Sequence, residues 1–211
     1  MDNLSATAEA FIPENYKGKA NDLQDTVEGT DREHALKIFK RACMRLQNVQ
    51  LWHKLCGPLS ASFKLVAEDG SPEDRLVQLH DYFLVNIPGP GMQEGFGYDW
   101  VQVEEIKESF DPEGEKELFA MRIAACENPA TANEETAHFF QKGASSTFII
   151  ERNGNSITAS YHGRNEVPNT DVSRITDKIR NTIVAVGAYG GLSELQWLSL
   201  IKSFLQEEVG G

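Results

Sequence analysis

The chain has 211 residues, with 40% hydrophobic and 25% charged side chains. That length and mix exclude collagen, a coiled-coil rod, a disulfide scaffold and wholesale disorder, and they suffice for a buried core without metals or cross-links. The formal net charge of -12, from 20 basic and 32 acidic residues, repels phosphate backbones and anionic lipid surfaces, so no nucleic-acid or membrane partner is expected.

Residues 1–30 are rich in Asn, Asp, Lys, Gly and Glu, show no sustained period, and are broken at Pro13, Gly18 and Gly29. They read as an irregular arm, anchored by Phe11, Ile12 and Tyr16. No basic-then-apolar leader precedes it, and no apolar run is long enough to span a bilayer, so a cytoplasmic protein is expected. The first strong element is a helix from about Asp31 to Cys56. Thr30 with Glu33 predicts a capping box, and Gly57-Pro58 a stop. Ala35, Leu36, Ile38, Phe39, Ala42, Cys43, Leu46 and Val49 share its apolar arc, with Lys37, Arg41 and Arg45 opposite as a basic stripe that is solvated or docks an acidic hairpin, of this chain or of a second copy. The pattern slips after Val49, where the helix either bends or gains a cover.

Alternating residues then predict strands over 59–68, 75–87, 100–110, 117–126, 145–152 and 156–162. Asp81 interrupts the second of them. The last two form a hairpin turned at Asn153-Gly154, the pair suited to a type I′ turn. Between these strands lie a loop over 88–99 and a segment 127–143 with room for a short helix near 134–141. Thr170 or Asp171 starts a helix running to about Tyr189. Gly190-Gly191 breaks it, and Ser193 with Gln196 starts a last helix with Trp197, Leu198, Leu200, Ile201, Phe204 and Leu205 on its buried face. Without βαβ alternation a doubly wound parallel sheet is not expected. The predicted fold is α+β: a mainly antiparallel sheet of about six strands, with one long N-terminal helix and two C-terminal helices packed on it. Residues 1–30 are the arm and 31–211 a single α+β domain.

The charge is local. Residues 93–135 hold twelve acids against three bases, net -9, and read as a solvated acidic hairpin, with a docking face for a basic partner or a weak divalent-cation surface as the sharper readings. The cysteines Cys43, Cys56 and Cys126 have no metal-type spacing and read as reduced core thiols. Paired histidine ligands are absent, and His80-Asp81 lies on a predicted strand, where neighbours face apart. Neither a metal nor a cofactor is expected.

Two stretches are candidates for a site. Residues 87–100 hold four glycines and two prolines, and Phe96, Tyr98 and Trp100 would form an aromatic contact surface with Asp99 as its polar anchor. Residues 161–169 concentrate His162, Arg164, Asn165 and Glu166 at a strand end. There Arg164 would bind an anion and His162 move a proton, or Arg164 and Glu166 would simply pair. No nucleophile motif accompanies them. The leading expectation is therefore a non-catalytic binding or protein-interaction module, with homo-oligomerisation as an option. One alternative is a carrier of a small apolar ligand between sheet and helix, with Asp81 facing inward. Another is an enzyme centred on His162, Arg164 and Glu166.

Overall fold

Strand alternation along the chain does produce an antiparallel sheet, with seven strands rather than six. The computed structural model describes residues 4–56, 61–86, 99–111, 113–129, 143–167 and 190–207. In chain order these hold α1 (Leu4–Phe11), β1 (Lys19–Glu28), α2 (Arg32–Gln47), a 3-10 turn (Val49–Leu51) and α3 (Trp52–Cys56). Then come β2 (Ser62–Val66), β3 (Tyr82–Asn86), β4 (Asp99–Ser109), β5 (Lys116–Cys126), β6 (Ser145–Asn153), β7 (Ser156–Glu166) and α4 (Gly190–Leu205). The strands lie in the order β1-β7-β6-β5-β4-β3-β2. Every neighbouring pair is antiparallel. The fold is α+β, with helices packed on the sheet. No described helix is long and apolar enough to cross a membrane.

The two faces of the sheet are covered differently. On the inner face Phe63, Leu65, Phe83, Val103, Phe119, Met121, Phe148, Ile150, Ile157, Ala159 and Tyr161 form one core with α2, α3 and α4. Trp52 of α3 is its centre, with ring centroids 5.0 Å from Phe63, 5.0 Å from Phe148, 6.0 Å from Phe204 and 6.1 Å from Phe83. On the outer face Leu118, Ala120 and Ile149 form a second, smaller core with Ala8, Phe11 and Ile12. Arg122 holds that helix from below. Its guanidinium lies 5.5 Å from the Phe11 ring and donates to the Phe11 carbonyl.

The structure corrects several expectations. The segment 1–30 is not an irregular arm, because it supplies α1 and β1. The long helix ends at Gln47 instead of running to Cys56. Asn48 leaves helical geometry at φ -93 and ψ 77, and the chain re-enters through the 3-10 turn. Trp52 makes that break tolerable, since its Nε1–H reaches the carbonyls of Arg45 and Leu46 that the break leaves without helical partners. The cap of α2 is Asp31, extended at φ -155, whose carboxylate accepts the His34 N–H at 2.8 Å. Thr30 instead bonds the His34 ring. Nor is the basic stripe merely solvated. Arg41 donates to the Leu205 carbonyl, and Arg45 to those of Ser203, Phe204 and Gln206, so these two arginines cap the C-terminal end of α4 while Lys37 stays exposed. Gly190-Gly191 forms the first residues of α4. The strand expected over 75–87 shrinks to β3. The short helix near 134–141 and the helix over 170–189 lie outside the described residues.

Candidate functional site

At one end the inner face carries a buried ion pair. Glu117 and Arg152 face each other across β5 and β6, 1% and 0% exposed, with Arg152 Nε 2.7 Å from Glu117 Oε2. The other guanidinium nitrogens donate to the carbonyls of Gly114, Glu115 and Gly154, tying the β4–β5 and β6–β7 turns together. Gly154 makes its turn at φ +63, as the Asn-Gly pair predicts.

The opposite end is different. There Val85, Val101, Leu55, Trp197 and Leu198 are only half-buried against the core. Trp197 of α4 stacks on Tyr161 of β7, with centroids 4.9 Å apart and ring planes 15° from parallel. Its other aromatic neighbours are Phe148 and Phe63, at 5.6 and 6.1 Å. Into this apolar lining comes one polar group. Tyr161 Oη donates to Glu166 Oε1 at 3.0 Å and lies 3.2 Å from Ser146 Oγ.

Strand parity alone would put Glu166 on the outer face, five residues from an inward Tyr161. A bulge changes that. Lys19 pairs with Glu166 but Asn21 with Gly163, so β7 carries one extra residue, and Asn165 takes it up at φ 57. Asparagine tolerates this left-handed geometry better than most residues. Asn165 is held there by the chain before β1: its side-chain Oδ1 accepts from the Tyr16 and Lys17 N–H groups, and its backbone N–H donates to Asn15 Oδ1. Gly163 leaves the space. A Cβ there would stand 2.4 Å from Glu166 Oε1 and 3.0 Å from Tyr161 Oη.

Burial pushes the Glu166 carboxyl above its usual range, against the Tyr161 hydrogen bond, which lowers it. The Tyr161 hydroxyl is also pushed well up, by burial first and the Glu166 charge second. The result is a phenol donating to a carboxyl, both shifted upward by burial, side by side in an aromatic wall. Such a pair can orient a ligand's carbonyl, hydroxyl or phenol by hydrogen bonding in an otherwise apolar lining.

The residues singled out in the sequence are dispersed by the fold. His162 and Arg164 project from the outer face of β7, where both meet Asp22 of β1: His162 Nδ1 at 2.6 Å and Arg164 Nη2 at 2.7 Å from its Oδ1. Arg164 thus pairs with Asp22, and Glu166 turns the other way. Asp81 lies before β3, not within it. Its carboxylate takes both Nη atoms of Arg75, at 2.6 and 2.9 Å, and the Gln78 N–H at 2.7 Å, so it fixes a loop instead of facing a cavity. Trp100 is buried at 6% exposure, edge-on to Tyr82, and offers no exposed contact surface. Asp99 opens β4 opposite Val85, and Phe96 and Tyr98 lie outside the described residues. Burial pushes the Cys126 thiol up to about 11 and Cys43 further, as expected of unreactive thiols. Among the described residues no group of three His, Cys, Asp or Glu side chains could hold a metal ion.

No protein-family model matches the chain, and no curated protein matches it in sequence. Among solved structures it is similar to the protein TTHA0849 from Thermus thermophilus, at 10% identity and a TM-score of 0.45 over 89% of this chain and 97% of that one. It is similar to Ara h 8.0201 at 12% identity and 0.38, over 90% and 100% of the two chains. A truncated norcoclaurine synthase from Thalictrum flavum gives 10% identity and 0.36, over 93% and 100%. All three TM-scores lie below 0.5, and the likeness carries no argument about function.

Proposed function

We propose that this protein binds a small, mainly apolar molecule bearing one hydrogen-bonding group, held between the inner face and α4 at the Tyr161 end. The observation that carries the reading is the Tyr161–Glu166 pair, re-aimed by the Asn165 bulge into a lining of Trp197, Phe148 and Phe63. A polar pair in an apolar wall is costly unless it is satisfied, and here the two groups satisfy each other until a ligand arrives. The same wall lies next to the half-buried side chains of Leu55, Val85, Val101 and Leu198. This favours the carrier reading over the interaction module, whose aromatic surface has lost Trp100 to the interior.

Native mass spectrometry of the protein from its own cells tests this. The expected result is a stoichiometric small-molecule adduct, lost on denaturation. Trp197→Ala should lower its affinity by about tenfold, the scale of one aromatic stacking contact. A co-purifying protein with no small adduct would instead return the interaction module.

A further inference from the structure

The outer face carries a cluster that ligand binding leaves unused. Ser160 and His162 are two residues apart on β7, so both project from one face, and Asp22 stands opposite His162 on β1. Ser160 Oγ lies 3.0 Å from His162 Nε2, while His162 Nδ1 lies 2.6 Å from Asp22 Oδ1. An ionised Asp22 only accepts, so it places the imidazole proton on Nδ1 and leaves Nε2 to accept from the Ser160 hydroxyl. Nucleophile, base and orienting carboxylate are then joined in sequence. The geometry points to Ser160 as a nucleophile that takes a short acyl group from an activated ester, with His162 as its base and Asp22 as a positioning residue.

In the first step Ser160 Oγ bonds to the acyl carbon and its proton passes to His162 Nε2. The ester C–O bond breaks, and the departing alcohol takes that proton. Water then attacks the acyl carbon with His162 again as base, releasing the carboxylic acid and returning the proton to Ser160. The surroundings set the scale. Ser160 is only 7% exposed, which restricts the site to compact acyl groups. Backbone N–H groups around it belong to the β1–β7–β6 ladder, so they form no oxyanion hole, and a lasting acyl-serine is expected instead of fast turnover. The charged groups facing the imidazole are Asp22 from β1 and Arg164 from β7. Its neighbour on β6 is Thr147, whose buried hydroxyl has no partner among the described residues. Burial lowers the His162 pKa, against the Asp22 contacts that raise it, so the imidazole is neutral and basic at neutral pH.

The test treats the full chain with p-nitrophenyl acetate, follows p-nitrophenolate release, and maps acetylation by peptide mass spectrometry. A burst of one equivalent and an acetyl group on Ser160 are expected. Ser160→Ala should abolish the burst, and His162→Gln should slow it about 100-fold, the effect of losing a general base. Asp22→Asn should slow it and move the midpoint of its pH profile down, because Asp22 raises the His162 pKa. A role in folding alone would not move that midpoint. Acetylation confined to lysines, or Ser160 acetylation at an unchanged rate in His162→Gln, would overturn the proposal. Should His162→Gln not fold, the wild-type profile decides. A rate that levels off above a midpoint below pH 6.5 supports the array, and one that climbs in proportion to hydroxide overturns it.

Discussion

Glu117 and Arg152 show how much depends on one side chain when both members of an ion pair are out of water. Arg152 meets Glu117 and the carbonyls of Gly114, Glu115 and Gly154, so removing its carboxylate leaves a guanidinium stranded among backbone oxygens. Glu117→Ala should cost about 3–5 kcal/mol in urea unfolding. His162 makes a pH prediction at the same scale. Its folded pKa lies below the ordinary 6.5, so the unfolded chain binds more protons as pH falls past that value, and stability is lost on the acid side. The raised carboxyls of Glu166 and Glu151 act with the opposite sign, favouring the folded state as pH falls. The comparison must therefore be between proteins. The melting temperature of the wild type should fall relative to that of His162→Gln as pH drops from 7 through the His162 pKa.

At the scale of elements, the α2–α4 contact depends on cations placed at the end of a helix. Arg45 meets three of the last carbonyls around the end of α4, while Lys37 pairs with exposed Glu33 on its own helix. Arg45→Ala should lower stability by about 1.5–3 kcal/mol. Lys37→Ala should leave it nearly unchanged, a contrast that thermal melts of the two variants will read. Trp52→Phe leaves two carbonyls of α2 unmet in the core, so a loss of about 2 kcal/mol or more is expected by the same measurement. These elements also show where a sequence is readable. The apolar arc of α2 and the Asn153-Gly154 hairpin are legible because periodicity and turn chemistry are local. β1 is not. Leu23 and Val27 are its only large apolar residues, and an edge strand with one partner can be polar elsewhere. In the candidate site, Glu166 and Asn165 stand out as polar residues at a strand end. The bulge that turns Glu166 inward is hidden, because it depends on a register between residues far apart in the chain. Asp22 and Ser160 carry no signal of their own.

At the scale of the molecule, the described residues form one sheet with two unlike coverings: α2, α3 and α4 on the inner face and the short α1 on the outer. The acidic excess of 93–135 partly resolves in it, since Arg122 bridges Glu104 and Glu105 while also gripping α1. The strand order also sets a timing. Among the described strands β1 is the first made and pairs only with β7, the last; Thr26 and Thr158, which share a hydrogen bond, are 132 residues apart. At about 5–20 residues per second, a ribosome leaves β1 without its partner for roughly 7–26 seconds after it emerges. Contacts so distant in sequence also form late when a chain refolds, because the loop between them must close first. In pulse-labelling hydrogen exchange the amides of β1 should gain protection after those of β5 and β6. Early in its life, then, this protein is a growing sheet whose first strand waits, and whatever shields that strand from other chains in the interval governs how much of it survives to fold.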